Sequence, residues 1–283
     1  MSAEPSTTVT PLTAAAENPP LPTEKPVARF RWAIHLAIMA SLPLIAGLAG
    51  KASQGTGPAL TDNVRGLLVV TGFEILFFAA IFGLAWLFSR ATRDDLLLRW
   101  RPGYWVLPLG VVYSVAIRLL VGVVFLFATV LFMLVTRTSM TAVQSFADSH
   151  RPKVESLVDL NALAHNPMYF WLTLVLVSPV VGGLREELWR SSFLAGLRAL
   201  WPRAFSSNGG GIFGAAVAAL FFGAGHYPQG WLAMGMITIV GFLLGVIMVV
   251  HRSIWPSVVA HGLFDVASMA ALVFIMPQLK PAG

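Results

Sequence analysis

Seven long apolar runs leave this chain few folds to choose from. They lie at about 32–50, 66–88, 104–135, 168–200, 211–225, 231–250 and 254–276. A hydrocarbon core about 30 Å thick is crossed by about 20 residues of helix. Every backbone polar group within it must be satisfied inside the protein, so runs of this length are predicted as helices. The expected fold class is all-α, a polytopic transmembrane bundle of seven spans. The third run exceeds one span, and a break near Pro108 would make eight. The fourth is predicted to continue as one helix from Met168 through Glu186 to about Leu200. Composition agrees: 57% of residues are hydrophobic and only 11% charged, against about 25% charged in soluble domains.

The segments outside the runs set the boundaries. Residues 1–29 are rich in Pro, Thr, Ala and Glu and are predicted as a disordered tail. Residues 30–276 form the transmembrane domain, with its polar motifs in 168–276, and 277–283 is a short tail. The connection 136–167 is polar, with a short surface helix predicted around 154–164. The net charge of +6 resides largely in arginines between spans. With the N-terminus inside, Arg29, Arg31, Arg90, Arg93, Arg99 and Arg101 all fall inside, so the positive-inside bias predicts a cytoplasmic N-terminus in a cell membrane. The charge is thus topological, and the bilayer rather than nucleic acid is the expected partner. The chain has no cysteine, which excludes disulfides, thiolate metal sites and a cysteine nucleophile.

Charged side chains at membrane depth are costly and usually face a bundle interior or a wet cavity. The densest group is Gly183-Leu-Arg-Glu-Glu-Leu-Trp-Arg190. On a helix Glu186 and Glu187 point about 100° apart, so they serve different roles. Arg190 lies one turn beyond both, at i+4 and i+3. One carboxylate can be held as an ion pair while the other faces a cavity. A loop at 201–210 makes the fourth and fifth spans a hairpin, which brings Glu186 and His226 to similar depth. A carboxylate facing an imidazole can hold and deprotonate a water. His261 and Asp265 share one face of the last span, where an imidazole and a donor partner could stabilise an oxyanion. His261 is only about nine residues from the turn at Arg252, shallower than Glu186, so one helix must be shifted or bent.

These residues resemble the CPBP family of intramembrane proteases, which takes in CAAX prenyl endopeptidases and bacteriocin-processing and abortive-infection relatives. The family's motifs are Glu-Glu-x-x-x-Arg, Phe-x-x-x-His and His-x-x-x-Asn or Asp. Here they read Glu186-Glu187-Leu-Trp-Arg190-Ser191, Phe222-Gly-Ala-Gly-His226 and His261-Gly-Leu-Phe-Asp265, in the family's order. The resemblance implies a membrane-embedded endopeptidase acting near the end of a prenylated or otherwise hydrophobic peptide. By motif position Glu186 and His226 would activate water, and Glu187 would be the structural carboxylate. His261 and Asp265 would stabilise the tetrahedral intermediate. That mechanism needs no cofactor. Members have also been described as metalloproteases, and a zinc version would draw on Glu186, His226 and His261. One position departs from the pattern. The family Arg falls at Ser191, and Arg190 comes one residue early, in reach of Glu186 as well as Glu187.

Plainer readings exist for the same residues. Glu186 and Glu187 could form membrane-boundary ion pairs with Arg185 and Arg190, in a non-catalytic immunity or scaffold protein. Glu74 and Arg118 are read as a lock between the second and third spans, with a transporter's ion path as the alternative. His35 and His251, near span ends, are read as interfacial.

Overall fold

The computed structural model describes residues 26–52 and 59–275. Most of the tail predicted over 1–29, and all of 277–283, lies outside the described residues. Among the described residues the protein is all-helical, without a strand. Helices at Ala28–Gly50, Val64–Ser89, Gly103–Thr136, Pro167–Leu200, Asn208–Gly225, Trp231–His251 and Trp255–Phe274 are long and apolar enough to cross a membrane. This is an integral multi-pass membrane protein.

We number the helices α1 (Pro26–Ala52), α2 (Val64–Ser89), α3 (Val106–Thr136), α4 (Met140–Ser149), α5 (Leu160–His165), α6 (Pro167–Leu172), α7 (Glu186–Leu200), α8 (Pro202–Phe205), α9 (Asn208–Gly225), α10 (Trp231–His251) and α11 (Trp255–Ile275). The third run does not split. Pro108 lies in the first turn of α3, where a missing N–H costs no intrahelical bond. The fourth run is continuous: α6 widens into a π-helical segment, Thr173–Arg185, that leads into α7. Pro179, inside this segment, cannot supply an α-helical N–H, and wide turns of this kind recur at functional sites.

The connection between α3 and α6 differs from expectation. A helix forms at Met140–Ser149, where Ser139 accepts a hydrogen bond from the Ala142 N–H. The surface helix predicted around 154–164 is instead a single 3₁₀ turn followed by α5. Asp159 caps α5 by accepting from the Ala162 N–H at 2.7 Å, so the helix starts there rather than at 154. Val158, Ala162 and Leu163 are buried against Leu67 and Tyr169, which makes this segment part of the core.

Helix α7 is the centre of the bundle, buried along nearly its whole length from Glu187 to Leu200. It packs on α1, α9 and the π-helical segment, and α11 packs on that segment and on α3. Helices α2 and α3 are peripheral: only 11% and 6% of their most apolar windows are buried, which leaves the rest to lipid. His35 is not interfacial. It is buried among α1, α2 and α7, with Nδ1 at 3.0 Å from the Ala85 carbonyl and Nε2 at 2.9 Å from Ser192 Oγ.

A second tie between α1 and α7 follows from Pro43. Without an N–H, Pro43 leaves the carbonyl four residues earlier, at Met39, unpaired. The Trp189 Nε1–H donates to that oxygen at 2.8 Å. Trp189→Phe keeps the ring and leaves a buried carbonyl unsatisfied. The expected cost is about 1–3 kcal/mol, read as a lower melting temperature in detergent.

Candidate active site

The first turn of α7 presents Glu186 and Glu187 in opposite environments. Glu187 is fully buried. Its Oε1 accepts from Nη1 of Arg190, one turn later, and from Nδ1–H of His261 at 2.9 Å. Glu186 retains some exposure, and its Oε1 accepts from Nη2 of Arg185 at 3.1 Å. The other nitrogen of that guanidinium, Nη1, donates to Glu74 of α2 at 2.9 Å. The side-by-side carboxylates thus have separate arginines. Arg190 does not extend to Glu186 as its spacing suggests; its fully buried side chain turns Nη1 to Glu187. Both carboxylates are ion-paired, Glu187 inside the bundle and Glu186 at the cavity.

The register departure is accommodated locally. Ser191, at the position of the family's arginine, points to the other side of α7 and donates to the Leu96 carbonyl at 2.5 Å. Arg190 points inward, with Cζ 4.8 Å from the Phe222 ring centroid, within cation–π range. Nε and Nη2 of Arg190 and Oε2 of Glu187 have no hydrogen-bond partner among the described residues. Phe222 is the plate on which the motifs meet. Its ring centroid lies 5.8 Å from that of Trp189, 4.7 Å from His226 and 6.4 Å from His261.

His261 reaches Glu187 because the turn between α10 and α11 is recessed. The stretch between α2 and α3 fixes its level. The Leu96 carbonyl accepts from Ser191 of α7, and the next carbonyl, Leu97, accepts from the Ile254 N–H at 3.0 Å. Ile254 is therefore level with Ser191, and α7 continues about nine residues, or roughly 13 Å, past it. Counted from that level, Glu187 and His261 lie at comparable depth. The depth mismatch read from the sequence is absorbed by this shift. Gly183 allows the contact: a Cβ there would stand 2.9 Å from the Val258 carbonyl and 3.3 Å from Gly262. With Nδ1–H given to Glu187, the Nε2 edge of His261 faces Oε2 of Glu186 at 3.6 Å and Oδ2 of Asp265 at 3.8 Å. Both are too long for a direct hydrogen bond.

His226 sits just beyond the end of α9. Its Nδ1–H donates to the Phe222 carbonyl at 2.8 Å, which leaves Nε2 as the acceptor in the neutral ring. Close packing of α9 on α1 fixes this end, since a Cβ on Gly225 would stand 3.0 Å from Pro43. Glu186 and His226 line one cavity of about 1260 Å³ between α1, α2 and α7, together with Glu74, Arg185 and Trp189. Among the described residues no hydrogen bond joins Glu186 to His226. Phe77, Phe73, Leu42, Lys153 and Gln229 also line the cavity.

The structure therefore brings Glu186, Glu187, Arg190, His261 and Asp265 into one contacting set, with Phe222 beneath them and His226 across the cavity. It corrects one pairing. Glu74 and Arg118 do not lock α2 to α3. Glu74 pairs with Arg185, and Arg118 donates to Ser114 Oγ and to the Leu263 and Phe264 carbonyls of α11. Among the described residues no three His, Asp or Glu side chains converge as a metal site. Nδ1 of His261 is taken by Glu187, and Nε2 is the nitrogen that faces Glu186. Trp189 was missed as a site residue, and Arg185 was read only as an ion-pair partner. The only signal for either was adjacency to the Glu pair.

One comparison with known proteins bears on this region. Residues 166–267 match the family model for the Rce1-like type II CAAX prenyl endopeptidases. That stretch is similar to the Rce1-like family. No curated protein and no solved structure matches the chain. The matched stretch contains all three motifs, from before the π-helical segment to just past Asp265. Helices α1 to α5 lie outside it, although α1 and α2 supply much of the cavity wall. The family is one of membrane proteases acting on peptide or protein substrates.

Proposed function

We propose that this protein is an intramembrane endopeptidase that hydrolyses a peptide bond near a lipidated or hydrophobic peptide end, with water activated by Glu186 and His226. The observation that carries this reading is their common cavity, set among membrane-spanning helices and walled mainly by apolar side chains. A water between the Glu186 carboxylate and bare Nε2 of His226 would lose its proton to one of them as it attacks the carbonyl carbon. The peptide carbonyl oxygen becomes an oxyanion. His261, held by Glu187 through Nδ1, would as an imidazolium offer Nε2–H to it, with Asp265 beside the same ring edge. The proton then passes to the leaving amine. Glu187 and Arg190 touch no reacting atom; they hold His261. The reading needs no cofactor. The positive-inside bias supports a cytoplasmic N-terminus in a cell membrane.

One observation favours a second reading. Glu186 is tied to Arg185, which a non-catalytic immunity or scaffold protein of this fold would also show. The test is cleavage in liposomes of two internally quenched peptides, one with a farnesylated cysteine near its C-terminus and one with an unlipidated apolar end. Wild type is expected to cleave at least one, with or without a chelator, and His226→Ala to lose about 10²-fold or more in kcat. Cleavage lost to chelator and restored by zinc would replace the glutamate mechanism. Equal cleavage by wild type and His226→Ala would remove His226 from it.

A further inference from the structure

Glu74 is a charge that none of the three motifs uses. It lies on α2, outside the matched stretch, and lines the cavity with a side chain 35% exposed. The partner found for it is Arg185, 111 residues away in sequence. That guanidinium is divided, with Nη1 on Glu74 and Nη2 on Oε1 of Glu186. The second oxygen of Glu186, Oε2, is left without a direct hydrogen bond among the described residues, 3.6 Å from His261. It is the oxygen that Arg185 does not hold, and it faces the Nε2 edge of His261.

We propose that Glu74 is a positioning residue: it holds Arg185 in this divided state and so keeps Oε2 of Glu186 open for the attacking water. The inference rests on Glu186 being the base. An arginine facing a single carboxylate favours a bidentate fork, with two parallel N–H···O bonds. Arg185 cannot leave the neighbourhood, because it precedes Glu186 in the chain. An unpaired arginine at membrane depth is costly, and its side chain is only 27% exposed. Without Glu74, its remaining carboxylate is Glu186, and closing the fork covers Oε2. The neighbouring arginines do not compete at this point. Arg190 is committed to Glu187, and Arg118 to the α11 carbonyls.

The test uses the full chain in liposomes with the two quenched peptides. Glu74→Gln is expected to lower kcat about tenfold or more with KM nearly unchanged, since a base and not a binding contact is lost. Glu74→Asp, which keeps the charge, should retain most activity. The decisive variant is the double change Glu74→Gln with Arg185→Gln, expected to be more active than Glu74→Gln alone because the closing fork is gone. A merely structural Glu74 predicts the opposite order. Labelling of Glu186 by a water-soluble carbodiimide, read by mass spectrometry, gives a measure independent of turnover. It should slow in Glu74→Gln and recover in the double variant. Wild-type kcat in Glu74→Gln, a double variant no better than the single, or unchanged labelling would each overturn the proposal. Failure of the underlying reading looks different: Glu186→Gln itself would cleave like wild type, while the labelling order still reports where Arg185 lies.

Discussion

Glu186→Gln is expected to lower kcat by about two to four orders of magnitude, the usual contribution of a general base, with little loss of stability. The second half follows from the arginine arrangement. Removing the charge of Glu186 leaves Arg185 with Glu74, so no buried cation is orphaned. KM for either peptide should change little, because the apolar cavity wall is untouched. The check is steady-state kinetics beside a melting curve in the same detergent. If cleavage and stability fell together, Glu186 would be a structural residue and its assignment as the base would fail.

Glu187→Ala should do the reverse and act first on the fold. Its carboxylate and the Arg190 guanidinium are both fully buried. Taking away one member strands a cation between the Phe222 ring and the glycine face of α10. Breaking a buried pair in this way costs about 3–5 kcal/mol, a large part of a typical domain's stability. His261 also loses the acceptor for its Nδ1–H and with it a fixed orientation. The prediction is a strongly lowered melting temperature. Replacing Glu187 and Arg190 together by apolar residues should recover much of the stability and none of the activity. A Glu187→Ala protein as stable as wild type would contradict the buried pairing.

The sequence disclosed those features that depend on local pattern. Membrane-length runs can form little but helices, so seven spans were readable, and the small-residue helix α9 and its break at Tyr227 followed from composition. The ordered motifs marked Glu186, Glu187, His226, His261 and Asp265 without any geometry. What could not be read depends on how helices sit against one another. The recess that puts His261 beside Glu187 comes from a stretch between α2 and α3 that bonds to Ser191 and Ile254 at once. Glu74 meets Arg185 rather than Arg118 because α2 borders the cavity, and neither charge carries a sign of its partner. His35 read as interfacial from its distance to the span end, yet the N-terminal end of α1 packs on α7, and its ring is sealed by Ala85 and Ser192. In the connection after α3, the polar pattern did not mark the helix ends, whereas Ser139 and Asp159 as caps locate both helices that form.

The central claim is that water, activated by Glu186, attacks the peptide bond directly. The most direct measurement is a single turnover in heavy-oxygen water, with liposome-embedded protein in excess over the quenched peptide. Mass spectrometry then reads the new C-terminal carboxylate. Direct attack predicts one heavy oxygen in every product molecule from wild type and essentially no product from Glu186→Gln. Unlabelled product in that first turnover would mean that a protein carboxylate, not water, had attacked. Labelled product from Glu186→Gln at the wild-type rate would mean that another group activates the water. Either result would contradict the account.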